Sequence, residues 1–246
     1  MKDSSGIVFI GSRPPVSFFA YPDKKSYLTP PETKIVNLCS AEQDGLYALN
    51  SLADEAGANK INKNLLQTPI SDVPESGNLD ASNLGLLIAN LMPENSIVSD
   101  EAATSSFLVT PQALKAKPHD WLCLTGGSIG QGLPLAVGAA IAKPDRPVIT
   151  LHGDGGAMYT VQALWTQARE NLNITNIIFA NHSYEILKIE LSRVGAVKTG
   201  QRADSMFSLD NPKLDWIKLS QSMGVPCYEP KTVEDFIKNF SSCVHE

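Results

Sequence analysis

The stretch that decides the fold is Pro147-Val148-Ile149-Thr150-Leu151-His152-Gly153-Asp154-Gly155-Gly156. An apolar run, 147–151, leads into a glycine-rich turn that carries one carboxylate. A short apolar run bounded by turn residues reads as a buried strand. Twenty-five residues separate Gly155 from Asn181, which closes a second apolar run from Ile174 to Ala180. An acid and an amide therefore stand at the C-terminal ends of two expected strands. In an open parallel sheet, ligands bind along that edge.

The residue types point to a metal-held diphosphate. Mg2+ is a hard ion that takes one or two protein oxygens and completes its octahedron with phosphate and water. Asp154 supplies charge, Asn181 an amide oxygen, and the backbone carbonyl of Ser183 a third protein oxygen. Gly153, Gly155 and Gly156 let the backbone approach phosphates closely, since no Cβ intervenes. A helix beginning near Ala157 would turn free N–H groups toward the anion. A dinucleotide fingerprint is the competing reading of a glycine-rich turn, but it needs Gly-x-Gly-x-x-Gly opening a helix. The nearest stretch, Gly126 to Gly132, has the wrong spacing.

Gly-Asp-Gly followed after twenty-five residues by Asn resembles the thiamine-diphosphate motif of the acetolactate synthase and benzoylformate decarboxylase superfamily. The likeness extends to Thr125-Gly126-Gly127-Ser128-Ile129-Gly130-Gln131-Gly132-Leu133-Pro134, to Ala163-Leu164-Trp165-Thr166 and to Asn181-His182-Ser183-Tyr184. It is strongest toward chains labelled acetolactate synthase large subunit of the shorter, benzoylformate-decarboxylase-like kind. It implies thiamine diphosphate and Mg2+ as cofactors, with Asp154, Asn181 and Ser183 as metal ligands. It also implies that Thr104, Gly127, Ser128, Ile129, Gly153, Gly155, Gly156 and Tyr184 line the cofactor. In the family an apolar side chain under the bent cofactor enforces its V shape, and Ile129 matches that position. The carbonyl of Gly127 would accept a hydrogen bond from the aminopyrimidine. Read from the residues alone, Ile129 serves equally as a core residue at a helix start. Thr104, Ser105 or Ser106 serves equally as a helix N-cap.

Strands alternating with helices predict an α/β fold built on a doubly wound, mostly parallel sheet. Residues 1–60 are expected to form part of a Rossmann-like central domain, with strands at Ile7–Ile10 and Lys34–Leu38 and a helix over Ala41–Ala56. Between the strands lies a loop holding five of the sixteen prolines. Residues 61–78 are the expected linker. Residues 79–246 form the diphosphate-binding domain: a helix from Asp80, strands at Ser96–Ser99 and Trp121–Leu124, and a helix over Ile129–Ala142. The strands that deliver Asp154 and Asn181 flank a helix at Tyr159–Glu170. A helix at Lys213–Met223, a strand at Val225–Tyr228 and a helix at Val233–Phe240 follow.

The resemblance places the catalytic glutamate of the family on a pyrimidine-binding domain that would precede residue 1, and no glutamate of this chain takes that role. Glu101 is expected to be structural. The relatives also close with one more strand after residue 240. The pyrimidine-binding domain of another chain or of a preceding part is the implied partner, a 2-oxo acid the implied substrate, and a homodimer or tetramer the implied assembly. Three functions stay open: an acetolactate synthase of branched-chain amino acid biosynthesis, a benzoylformate-type decarboxylase, and a non-catalytic cofactor-binding subunit. Two departures stand out. Ala180 replaces the first of two successive Asn, and Glu185 replaces a small residue beside the phosphates.

Composition adds exclusions. An apolar fraction of 43% suffices for a core, and a net charge of −6 without a basic stripe argues against nucleic acid. The longest apolar stretch, 129–142, is too short to span a membrane. Cys39, Cys123, Cys227 and Cys243 show no Cys-x-x-Cys spacing, which fits a reducing, cytoplasmic setting. No histidine spacing suggests zinc. Cys123 is expected in the core.

Overall fold

The computed structural model describes residues 4–58, 70–196 and 200–245 of the 246. Residues 61–69 of the expected linker lie outside the described residues. Two compact units are found, residues 1–66 with 190–197 and residues 67–189 with 198–246.

In the first unit, β1 (Gly6–Ile10) pairs in parallel with β2 (Lys34–Cys39). Helix α1 (Gly45–Glu55) follows, and it opens later than its apolar spacing suggests because Asp44 is the N-cap. The Asp44 carboxylate accepts the N–H of Tyr47. Gly57, at a φ of 62°, ends the helix in the left-handed conformation that glycine adopts without strain.

The second unit is built on a four-stranded parallel sheet: β3 (Ile97–Glu101), β4 (Asp120–Cys123), β5 (Val148–Gly153) and β6 (Ile174–Phe179), in the order β4-β3-β5-β6. Side chains alternate between its faces, as a pleated strand requires. Val98, Ile149 and Leu151 point to one side. There they meet α2 (Ala81–Leu91), α3 (Ser106–Ala113) and α10 (Val233–His245) through Leu87, Ile88, Val109, Phe236 and Phe240. Ile97 and Val148 point to the other, where α4 (Gly132–Ala142) contributes Ala136 and Ala140. Leu133 of α4 joins α6 (Ala163–Arg169) and α9 (Trp216–Ser222) in a further cluster with Leu164 and Trp216. Helices on both faces of a parallel sheet are the doubly wound arrangement.

The strand order sets the place of a site. β4 lies on one side of β3 and β5 on the other, so the winding reverses between β3 and β5. The crevice at the C-terminal end of that pair is the topological switch point, where open α/β sheets bind ligands.

Several expectations are corrected. The helix expected over 129–142 begins at Gly132, because Gly126, Gly127 and Gly130 have φ values of 64°, 70° and 96° and cannot continue it. The helix expected near Ala157 is a single turn, α5 (Asp154–Ala157), and the next helix opens only at Ala163. The helix expected from Lys213 starts at Trp216, capped by Asp215. No strand forms at 225–228: the Val225 N–H turns back to the Ser220 carbonyl instead of joining a ladder. Helices α3, α7 (Glu185–Arg193) and α8 (Gln201–Phe207) were not expected. Cys123, on the sheet's edge strand, is exposed rather than in the core.

Candidate functional site

Four loops leave the C-terminal edge of the sheet, one after each strand. The loop after β5 carries Asp154, which is 1% exposed. Its Oδ1 accepts the N–H of Gly155 at 2.9 Å and its Oδ2 the N–H of His182 at 2.8 Å. Burial pushes the Asp154 carboxyl above the usual carboxylate range, more than the two N–H groups and the nearby His182 ring lower it. A buried carboxylate in that condition is one a cation would stabilise, since an opposite charge favours the ionised form. The Gly155 N–H is held by Asp154 and is not free for another acceptor.

The loop after β6 carries Asn181, whose Oδ1 accepts the Ser183 N–H at 3.0 Å and forms a tight side-chain turn. Ser183 bridges to Ser208 in antiparallel fashion, with the two hydrogen bonds made by the flanking residues: Tyr184 N–H to Phe207 O, and Leu209 N–H to His182 O. In such a non-hydrogen-bonded pair the N–H and C=O of Ser183 face away from its partner, which leaves that carbonyl on the Asn181 side. The Nδ1 of His182 is buried without a hydrogen-bond partner, 3.9 Å from Asp154 Oδ2.

Asp154, Asn181, Ser183 and Tyr184 line one cavity with Thr104, Gly153, Gly155 and Gly156; its volume is about 50 Å³, room for a few water-sized groups. It sits at the switch point between the β3 and β5 loops. Ala103 in its wall and His182, between the lining residues Asn181 and Ser183, hold φ values of 51° and 53°, backbone strain of the kind that collects at functional sites. Gly155 is favoured sterically: a Cβ there would lie 2.7 Å from Cδ1 of the Tyr184 ring, which would have to move. Thr104 lies in a 3-10 turn (Ala103–Ser105) with no side-chain cap bond, and Ser106 donates to Asp100 at 2.6 Å, so neither acts as an N-cap. Glu185 also lines the cavity, but its Oε2 lies 3.2 Å from Lys188 Nζ, which offsets its charge.

Gly127, Ser128 and Ile129 do not line that cavity. They belong to the loop after β4, closed by Gln131, whose side chain accepts from Thr125 N–H and donates to the Cys123 carbonyl. Ile129 is 47% exposed, so it is not a core residue. The Gly127 carbonyl accepts the Ile129 N–H at 3.0 Å and keeps one lone pair for another donor.

Sequence reasoning left out one cluster. Glu101 and His152 face each other in register across β3 and β5 and are 3% and 0% exposed. Glu101 Oε1 accepts the Gly130 N–H at 2.5 Å and Oε2 the Gly132 N–H at 2.6 Å. His152 Nε2 lies 3.1 Å from Oε2, in contact though off the line of a hydrogen bond. Burial raises the Glu101 carboxyl, but His152 and the N–H groups of Gly130 and Gly132 outweigh it and hold it below the usual range. The signal available in sequence was period two along β5: Thr150 and His152 interrupt an otherwise apolar run on one face.

The donor set is hard oxygen from one acid, one amide and a backbone carbonyl. With the glycine cradle, it fits a divalent ion and a phosphate group. Among the described residues no three His, Cys, Asp or Glu gather into a metal cluster. Fold and site together define a parallel α/β domain with an oxygen-lined, glycine-walled cleft at its topological switch point.

Residues 104–246 match the family described as "Thiamine pyrophosphate enzyme, C-terminal TPP binding domain", and the chain belongs to that family. It is 44% identical over 237 residues to the "Putative acetolactate synthase large subunit IlvX" of Mycobacterium tuberculosis, covering 94% of this chain and 44% of that protein. It is 29% identical over 170 residues to the benzoylformate decarboxylase of Pseudomonas aeruginosa, covering 69% and 31%. The 4-hydroxybenzoylformate decarboxylase structure of Rhodococcus jostii RHA1 superposes with a TM-score of 0.76 at 24% identity, over 98% of this chain and 47% of that one. The fold is therefore shared. The chain spans less than half the length of these relatives. Among the described residues no helix is long and apolar enough to cross a membrane.

Proposed function

We propose that this chain is the cofactor-binding portion of a thiamine-diphosphate- and Mg2+-dependent enzyme acting on 2-oxo acids, of the acetolactate synthase type. The observation that carries the reading is the shared cavity of Asp154 and Asn181 at neighbouring strand tips. Thiamine diphosphate, when bound, supplies a carbon nucleophile and an electron sink for the decarboxylation of a 2-oxo acid. The chain's own residues bind and orient. Asp154, Asn181 and the Ser183 carbonyl would hold Mg2+, while the Gly153–Gly156 turn admits the diphosphate. Thr104 offers its hydroxyl to the terminal phosphate. The Gly127 carbonyl and the exposed Ile129 would place the aminopyrimidine, with Ser128 beside them and Tyr184 closing over Gly155.

The 44% identity over nearly the whole chain to a protein named as an acetolactate synthase large subunit favours condensation of pyruvate after its decarboxylation. The shorter match to a benzoylformate decarboxylase supports a second reading, simple decarboxylation of an aryl 2-oxo acid. We assign residues 1–60 to a central domain, 61–78 to a linker and 79–246 to the cofactor domain, and take the catalytic glutamate to come from a pyrimidine-binding domain in a homodimer or tetramer. Pyruvate and benzoylformate, supplied separately to the protein together with such a domain, test the reading. Acetolactate from pyruvate supports the first assignment, and benzaldehyde from benzoylformate the second. No product from either, despite bound cofactor, would leave a binding subunit.

A further inference from the structure

A buried carboxylate is stable only when its charge is met by hydrogen bonds or a partner. Glu101 meets that condition entirely through groups that flank the candidate site. Its two oxygens take the N–H groups of Gly130 and Gly132, at the end of the β4 loop and the start of α4. His152, which backs it, directly precedes the Gly153–Gly156 turn. Both glycine segments are fitted around the pair. A Cβ on Gly132 would lie 2.8 Å from His152 Cδ2 and 3.1 Å from Glu101 Cβ. A Cβ on Gly156 would lie 3.1 Å from Glu101 Oε1 and 3.2 Å from His152 Cε1. The Gly130 carbonyl accepts the Thr160 hydroxyl at 2.6 Å, so Gly130 is tied to β3 through its N–H and to the segment after α5 through its C=O.

We propose that Glu101, backed by His152, is a positioning residue that fixes the Gly126–Gly132 loop against the Gly153–Gly156 turn, so that a ligand held by its diphosphate at the turn meets a pre-set aminopyrimidine cradle. The inference rests on the cofactor reading above. Glu101 touches neither metal nor cofactor in this role; it acts through the two backbone N–H groups. A Gln at 101 keeps the shape but offers an NH2 to one N–H, and an Asp keeps the charge but is too short to span both.

The test compares thiamine diphosphate with inorganic pyrophosphate, each with Mg2+, by calorimetry on the full chain. Hydrogen exchange is read at residues 124–135 and 153–158. In Glu101→Gln, thiamine diphosphate affinity should fall about tenfold or more, the scale of losing a hydrogen bond to a charged group. Pyrophosphate affinity should change by less than about threefold. Exchange should accelerate at the Gly130 and Gly132 amides while 153–158 stays protected. Glu101→Asp should give the same pattern, and it stands in if the Gln variant does not fold. Equal loss for both ligands would reduce Glu101 to a general structural role and overturn the proposal, as would unchanged affinities or unchanged exchange. A wild-type chain that binds pyrophosphate as tightly as thiamine diphosphate would also overturn it while sparing the metal–diphosphate site. A wild-type chain that binds neither would overturn the cofactor reading itself.

Discussion

Asp154 Oδ2 accepts the backbone N–H of His182 at 2.8 Å. This bond ties the tip of β5 to the residue after Asn181 at the tip of β6. The carboxylate is thus aimed by the same loop that presents its expected co-ligand, and the two need no further element to be brought together.

Asn181 should matter, but less than the acid. Its amide oxygen both closes the turn to Ser183 and offers a neutral ligand. Asn181→Ala is expected to weaken Mg2+-dependent thiamine diphosphate binding by roughly 10–100-fold, the range for losing a group that orients or completes a metal shell. Calorimetry at fixed Mg2+ checks this. Unaltered affinity would remove Asn181 from the site.

Gly155→Ala places a methyl against the Tyr184 ring. The ring must swing away, and overpacking of this kind costs about 1–3 kcal/mol. Stability in denaturant unfolding should drop by that amount, and Tyr184→Ala in the same background should remove the extra cost of the methyl. No rescue would mean that the ring is not the obstacle.

Gly85 in α2 tests the packing beneath the site. Alanine would favour the helix by about 1 kcal/mol, yet its Cβ would press on the Leu108 backbone, lying 3.0 Å from its carbonyl carbon and 3.3 Å from Val109 Cα. Backbone cannot yield as a side-chain end can, so the clash should win. Gly85→Ala is expected to lower stability by roughly 1–3 kcal/mol in denaturant unfolding. A stabilised variant would contradict the close crossing of α2 and α3.

Glu101 carries a pH signature. Its folded-state pKa is lowered, so the native state binds the proton less readily than the unfolded chain, whose Glu titrates near about 4.3. The stabilisation is therefore present above that value and lost as pH falls through the folded-state pKa. The advantage of wild type over Glu101→Gln in urea midpoint should be largest near neutrality and shrink below about pH 4. A difference that stays constant down to pH 3 would contradict the pairing.

Much of this was legible in sequence because it is local. The apolar runs at 147–151 and 174–180 lead straight to Asp154 and Asn181, and the glycines between them announce the turn. What was missed depends on register or on weak pattern. Glu101 and His152 lie about fifty residues apart, and only the β3–β5 ladder makes them neighbours. Helix α3 contains Pro111, which reads as a breaker. α7 and α8 have no fully buried side chain, and each is too short, at nine and seven residues, for its apolar spacing to stand out. Val225 to Tyr228 has strand composition, yet composition does not supply a neighbour to pair with. The start of α4 was set too early because Ile129 looked like a first core residue, whereas the positive φ of Gly130 delays the helix.

The most direct test is the thermal midpoint of the chain with Mg2+ and thiamine diphosphate together. A ligand that binds only the folded state at about 100 times its Kd adds about 2.7 kcal/mol, a rise of roughly 5–10 °C for a chain of this size. The account predicts that rise for wild type, its absence when Mg2+ is chelated, and its absence in Asp154→Ala. A wild-type midpoint that does not move, or an Asp154→Ala midpoint that rises as much, would contradict it.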